Sequence, residues 1–347
     1  MKDLTDIYTG EFNLRKDYRM PENRREYFDA LYSMNLHHGV MPGLVYLYMP
    51  ELAEHFRWDD EQKLWFAVIN GCTQNPITSL IKFNKFPEPP ATPEKWGQMN
   101  AWFNAHWSEL QFDTDRLKNK RNTVKALFTY WKAVKELAAG SQARFWSGLT
   151  FKQAWERADM IFSFGRLSKF SYLEYVRIMG FGSDCDDMMF EDFDGSRSHR
   201  NGALFLLGKD DIVFDKRASN GFDGKYHDFK KMCDWLENWC VEYLGRRVLN
   251  DHHPHSGRFT LESQFCQFKN GFFKRRYPGV YADMAWERIQ KYDELGFSRD
   301  VEVFKAIRAA HLPDWLRVET EVKPVARALR AAQFADTGFP FNGEHFL

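Results

Sequence analysis

No run of apolar residues in this chain approaches the roughly 20 needed to span a bilayer, so a membrane-spanning helix is not expected. The opening Met1-Lys2-Asp3-Leu4-Thr5-Asp6 lacks the apolar core of a secretion signal, and the sequence reads as that of a soluble, intracellular protein. Net charge is missing as well. Forty-eight Lys and Arg balance 48 Asp and Glu, so any case for nucleic acid has to come from local clusters. The five cysteines (Cys72, Cys185, Cys233, Cys240 and Cys266) are odd in number and contain no CxxC pair. That excludes structural zinc of the usual spacing and fits a reducing compartment. Cys233 and Cys240 fall on one helix face, where buried thiols are the plainer reading. Also absent are GxxxxGK[ST], GxGxxG after a strand, HExxH and GxSxG, which argues against a self-contained P-loop kinase, a Rossmann dehydrogenase and an α/β-hydrolase.

What is present is core-forming material and helix punctuation. The 347 residues are 44% hydrophobic and 28% charged, enough for one large domain or two closely packed ones, and 32 Phe and 12 Trp contribute to an aromatic fraction of 17%. Asp59 to Gln62 reads as a capped helix start with Asn70-Gly71 as its stop, and Pro76 opens the next helix. Thr92-Pro93 opens another through Trp96, Trp102 and Trp107. Further helices are expected over 114–139, 150–162 (Thr150 and Gln153 forming a capping box), 168–179, 196–207, 226–244, 260–275, 280–295 and 298–311. A short strand is admissible only around 211–214, and no βαβ rhythm or internal repeat is seen. The expected fold is mainly α: a compact multi-helix enzyme domain with a loop-borne polar site and few or no strands. It divides into an N-terminal extension (1–40), a helical catalytic domain (41–312, with a candidate sub-boundary at the proline-rich 87–93) and a C-terminal segment and tail (313–347), where Phe339, Phe341 and Phe346 offer docking points.

The densest polar stretch runs from Asp194 to Gly202. With Asp194 at a helix start, the free N–H groups and positive dipole end make an anion site, and Arg197, Arg200 and Asn201 at i, i+3 and i+4 place two guanidinium groups and an amide on one face. This is chemistry for a phosphate or pyrophosphate; a capped, solvated basic helix is the alternative. Just upstream, Asp184, Asp186, Asp187, Glu191, Asp192 and Asp194 suit Mg2+, a general base, the orientation of the arginines, or simply a solvated loop. Lys269 to Tyr277 interleaves cations with aromatics, as phosphate neutralisation with base stacking requires and as a solvated helix end also produces. Arg116 to Lys125 could track a nucleic-acid backbone but alone reads as a solvated helix face, and Asp251-His252-His253-Pro254-His255 could bind metal but, like His37-His38, reads more plainly as an exposed turn.

Four segments together resemble the bacteriophage amino acid:DNA transferases, also called α-glutamyl/putrescinyl-thymine pyrophosphorylases. They are Trp58 to Phe66 running into Asn70-Gly71-Cys72-Thr73-Gln74-Asn75-Pro76; Gly165-Arg166-Leu167-Ser168-Lys169-Phe170-Ser171-Tyr172; Asp194 to Gly202; and Leu261 to Cys266 running into Arg275-Arg276-Tyr277-Pro278-Gly279-Val280-Tyr281. The resemblance covers roughly 40–295.

It implies an enzyme that replaces the pyrophosphate of 5-(pyrophosphoryloxymethyl)uracil in DNA with the amine of an amino acid or polyamine, after a separate phage base kinase has activated 5-hydroxymethyluracil, in the cytoplasm of the infected host. It fixes no cofactor, leaves Mg2+ as a candidate ion, and assigns no protein metal ligands. Under this reading Arg197 and Arg200 hold the leaving pyrophosphate, and Asp194 or Glu262 deprotonates the attacking ammonium. Gln74, Asn75 and Asn201 face a uracil edge; Tyr172, like Trp65, stacks or lies in the core; Arg166 meets a donor carboxylate; Ser168 and Ser198 complete the substrate site. Lys269, Arg275, Arg276 and Tyr277 meet the DNA backbone. Cys72, Cys185 or Cys266 could add to uracil C6, against ordinary thiol packing. The other readings are a helical component of a 5-hydroxymethyluracil DNA kinase, a base-excising glycosylase, or a non-catalytic DNA-binding accessory protein.

Overall fold

The computed structural model describes residues 20–114, 116–192, 195–209, 226–251, 254–272, 277–312, 316–317 and 326–337. Among them every element of regular structure is helical: α1 (Arg24–His37), α2 (Val45–His55), α3 (Asp60–Thr73), α4 (Pro76–Lys85), α5 (Pro93–Ala105), α6 (Thr123–Ala138), α7 (Phe151–Asp159), α8 (Arg166–Ile178), α9 (Arg197–Leu206), α10 (Tyr226–Asp251), α11 (Arg258–Phe272), α12 (Val280–Glu294), α13 (Ser298–His311) and α14 (Ala326–Thr337). The mainly α expectation holds. Residues 211–214 and Phe339, Phe341 and Phe346 lie outside the described residues. No described helix is long and apolar enough to cross a membrane.

Local chemistry sets the boundaries. Asp59 accepts from the Gln62 amide at 2.8 Å while the Gln62 side chain accepts from Asp59 N at 3.1 Å, closing the expected capping box, a device worth about 1 kcal/mol. The matching box of Thr150 and Gln153 starts α7. Three expectations are corrected. Helix α3 does not stop at Asn70-Gly71, because Gly71 is needed inside it: a β-carbon there would lie 3.1 Å from Tyr172 and 3.2 Å from Phe164. The turn comes at Gln74, in the left-handed region at φ 51°, and Asn75 then caps α4 by accepting from Thr78 N at 3.0 Å. The helix expected over 114–139 is broken into a short Arg116–Asn119 turn, a 3-10 turn and α6. Its cations are not all solvated: Arg116 is buried, and Lys120 Nζ donates to the carbonyls of Trp107 and Leu110. Helix α10 continues past Leu244 to Asp251.

The chain forms two compact units, one from Met1–Pro42, Cys185–Met284 and Pro313–Leu347, the other from Gly43–Asp184 and Ala285–Leu312, with the proline-rich 87–93 inside the second. In the second unit α3 packs against α4 and α8. Its interior is an aromatic cluster in which the Tyr172 ring meets Trp146 at 5.4 Å, Phe164 at 5.7 Å and Tyr130 at 6.1 Å, all edge to face, the arrangement that ring quadrupoles favour.

In the first unit the dominant contact is the crossing of α9 over α11. Gly202 makes it possible. A β-carbon at that position would lie 2.3 Å from the Phe265 carbonyl oxygen, so only glycine lets the backbones meet. Helix α1 lies against α11: Phe28 stacks on Phe265 at 5.2 Å, and Asn35 Nδ2 donates to Gln264 at 2.5 Å and Gln267 at 2.8 Å.

Candidate functional site

The α9–α11 crossing brings together His199, Glu262 and Cys266. Glu262 and Cys266 stand four apart on α11 and therefore on one face. His199 is fully buried; its Nε2 lies 2.8 Å from the Met188 carbonyl oxygen and its Nδ1 3.1 Å from Glu262 Oε1. Glu262 is 6% exposed, and its Oε2 lies 4.0 Å from the Sγ of half-buried Cys266. The Phe190 ring covers the imidazole, with centroids 5.3 Å apart. The arrangement can move a proton: a carboxylate and an imidazole share a water-poor interior beside a reachable thiol. Glu262 was expected from sequence. His199 was not singled out, although it sits between Arg197 and Arg200, and the spacing of Glu262 and Cys266 on a helix face was its available signal.

Around this centre α9 differs from expectation. It begins at Arg197 with Ser196 as N-cap, and Ser196 makes no side-chain cap; Asp194 lies outside the described residues. Arg200 does not project with Arg197 toward solvent. It is fully buried, and its Nη1 donates to the carbonyl oxygens of Phe190 at 2.6 Å and Asp192 at 3.1 Å, with its guanidinium 5.1 Å from the Phe229 ring. It ties the 190–192 loop to the helix, because a long forked donor beneath a turn finds carbonyls sooner than solvent. Arg197 is half-buried, Ser198 exposed and Asn201 buried. Part of the acidic stretch has local duties: Asp187 accepts from Met189 N at 2.6 Å, Asp192 from Gly195 N at 2.9 Å, and Glu191 from Lys230 at 2.7 Å.

Of the expected DNA contacts, Arg275 and Arg276 lie outside the described residues, and Lys269 is half-buried near the end of α11. Tyr277 is a correction. It is 1% exposed, and its hydroxyl donates to Asp283, which also accepts from Arg330 at 2.8 and 3.0 Å. Burial and the neighbouring carboxylate push its phenol far up, so Tyr277 belongs to an internal network instead of the surface.

In the other unit, Gln74, Asn75, Ser168 and Tyr172 are all buried. Asn75 spends its amide within the fold, on the α4 cap and on Asp113 Oδ2 at 3.0 Å. Gln74 instead has both amide atoms buried without a hydrogen-bond partner. Tyr172, like Trp65, is core and stacks on no base as placed, its phenol raised by burial. Arg166 is half-buried at the start of α8, 5.5 Å from the Phe170 ring. Beneath them Lys82 is 1% exposed, its Nζ unpartnered and 5.2 Å from the Phe103 ring centre. Desolvation brings its ammonium down to about 8, and the nearby Cys72 thiol is pushed up to about 11. Among the three candidate thiols Cys72 and Cys185 are buried, leaving Cys266 as the one open to a reactant. Cys233 and Cys240 are buried on α10, as expected.

A carboxylate, an imidazole and a thiol at one helix crossing are groups that acid–base and group-transfer enzymes use. The family model for amino acid:DNA transferases matches residues 45–277, and the chain belongs to that family. It is thus an enzyme that modifies DNA with an amino acid. The chain is also 28% identical over 363 aligned positions to a serinyltransferase of Salmonella phage ViI, an alignment covering 96% of this chain and 85% of that protein. No solved structure matches.

Proposed function

We propose that this enzyme acts on DNA carrying pyrophosphorylated 5-hydroxymethyluracil, made by a separate base kinase in the infected cell, and replaces the pyrophosphate with the amine of a free amino acid. Serine is the first donor to test, since the phage ViI relative is named for serine transfer and aligns along nearly the whole chain. The observation that carries the reading is the family match over 45–277, which takes in the α9–α11 crossing with His199, Glu262 and Cys266.

The chemistry needs three things. The donor amine must lose its proton, because an ammonium has no lone pair with which to attack; Glu262 beside His199 accepts it, and Asp194 is the other carboxylate on α9's approach. The leaving pyrophosphate needs cations and N–H groups, which Arg197 and the start of α9 supply. The uracil needs an amide edge, for which Asn201 on α9 is the proposed partner. Lys269, Arg275 and Arg276 are the proposed backbone contacts, and their neutralisation of phosphates makes binding salt-dependent.

The test is mass spectrometry of nucleosides from pyrophosphorylated 5-hydroxymethyluracil DNA incubated with the protein and single amino acids or polyamines. A nucleoside heavier than 5-hydroxymethyldeoxyuridine by serine less water, with release of one pyrophosphate per modified base, is expected. Release of pyrophosphate without a mass gain, or consumption of a nucleoside triphosphate, would replace the transfer reading with a hydrolytic or kinase one.

A further inference from the structure

We infer that His199, Glu262 and Cys266 form a binding site for a divalent transition-metal ion of the zinc type. Their candidate ligand atoms, His199 Nδ1, a Glu262 oxygen and Cys266 Sγ, all lie within 4.8 Å of one another. The inference stands on this geometry alone, whether or not the transfer reading above is correct.

The tautomer of His199 carries the first step. Its Nε2 faces the Met188 carbonyl oxygen at 2.8 Å, and a carbonyl only accepts, so Nε2 bears the proton. Nδ1 is then the ring nitrogen left to meet a cation, and it lies 3.1 Å from Glu262 Oε1. Nδ1 is buried and has no aligned hydrogen bond. A nitrogen and a carboxylate oxygen this close in the interior, without an aligned hydrogen bond between them, are placed as two ligands of one cation are. A cation on the side where Cys266 reaches Glu262 Oε2 at 4.0 Å satisfies all three donors.

The nitrogen–oxygen distance matches a zinc site, and Cys266 Sγ, 4.0 Å from Glu262 Oε2 in a set whose atoms lie within 4.8 Å of one another, has to close in by about 0.5–1 Å when the ion binds. Zinc bonded to nitrogen and oxygen at about 2.0–2.1 Å in a tetrahedron separates the two by about 3.3 Å, and oxygen from thiolate by about 3.5 Å. The bond from His199 to the Met188 carbonyl is the outer-shell contact that orients metal-bound imidazoles. A mixed imidazole, carboxylate and thiolate set favours zinc, cobalt or a similar ion over Mg2+ and Ca2+, which take oxygen donors. Three protein ligands with a half-buried cysteine leave a fourth position for an exchangeable ligand, as catalytic rather than structural zinc sites do.

The test is titration of the full-length, chelator-treated protein with Co2+ as a spectroscopic probe, with Zn2+ as competitor and Mg2+ as control. One equivalent of Co2+ with thiolate-to-metal charge-transfer absorption is expected, displaced by Zn2+ and not by Mg2+. Cys266→Ser should abolish the absorption, and Glu262→Gln should weaken binding at least about tenfold. No stoichiometric binding, binding without charge transfer, or a band that persists in Cys266→Ser would overturn the site. Should Cys266→Ser fail to fold, alkylation of Cys266 in the unmodified protein, mapped by peptide mass spectrometry, decides: Zn2+ should slow it at least about tenfold, and an unchanged rate refutes the site.

Discussion

Gly202 on α9 and Phe265 on α11 touch backbone to side-chain position, with room for a hydrogen at residue 202 and none for a methyl, which would meet the Phe265 carbonyl oxygen at 2.3 Å. The clash is with backbone, so a rotamer change cannot relieve it. The two helices would have to separate, and with them His199 and Glu262, whose 3.1 Å approach depends on the crossing.

Gly202→Ala should therefore destabilise the protein by about 2 kcal/mol or more, in the upper part of the usual range for core overpacking, and abolish transfer even where the chain still folds. Urea unfolding paired with pyrophosphate release checks both. A variant of wild-type stability would mean that α9 and α11 are further apart than described.

Lys82 makes stability depend on pH. Its folded value, about 8, lies below the 10.5 of the free side chain. Between those values the unfolded chain holds a proton that the folded chain has released, so this group's contribution rises as pH rises through the window. Below about 8 both states carry the proton, and the charge is buried at full cost. Lys82→Met should be more stable than the parent at pH 7, by up to about 3 kcal/mol, with the gap closing toward pH 10. A gap independent of pH would show that the ammonium is not desolvated.

Much of the fold was legible because helix punctuation is local chemistry. The boxes at Asp59/Gln62 and Thr150/Gln153 form as read, and α9, α12 and α13 fall within a residue of their expected spans. The misses share one cause. Gly71 looks like a stop and Arg200 like a surface cation until the third dimension supplies Phe164 and Tyr172 to fill the space at one and carbonyls to bind the other. For the candidate site, sequence singled out Glu262 but not its pairing with His199, which lies on a helix far away in the chain and comes close to it at the crossing that Gly202 permits.

Tyr277 and Asp283 offer a prediction that separates structure from DNA contact. Asp283 is fully buried and paired with Arg330, itself 2% exposed, so Asp283→Asn leaves a guanidinium in the interior short of its counter-charge and should cost about 3–5 kcal/mol. Tyr277→Phe removes one hydrogen bond to the same carboxylate and should cost about 1–3 kcal/mol. DNA affinity of the folded Tyr277→Phe protein should match the parent at every salt concentration. A drop would return Tyr277 to the DNA interface.

Arg197 and Arg200 stand on one short helix, and the structure assigns them opposite sensitivities. Arg200 is fully buried and holds the Phe190 and Asp192 carbonyls, so Arg200→Ala should lower stability by about 2–4 kcal/mol through lost packing and stranded acceptors, with Arg200→Lys rescuing little because lysine lacks the planar fork. Arg197 is half-buried at the first turn of α9, the end of a helix whose dipole favours an anion. Arg197→Ala should leave the unfolding midpoint within a few tenths of a kcal/mol of the parent, bind DNA as before, and lose at least about tenfold in turnover, the cost of removing a charge-assisted hydrogen bond to a leaving phosphate. Measuring unfolding, DNA binding and pyrophosphate release on both variants checks the division. Full turnover in Arg197→Ala would remove this arginine from the reaction and place the pyrophosphate elsewhere.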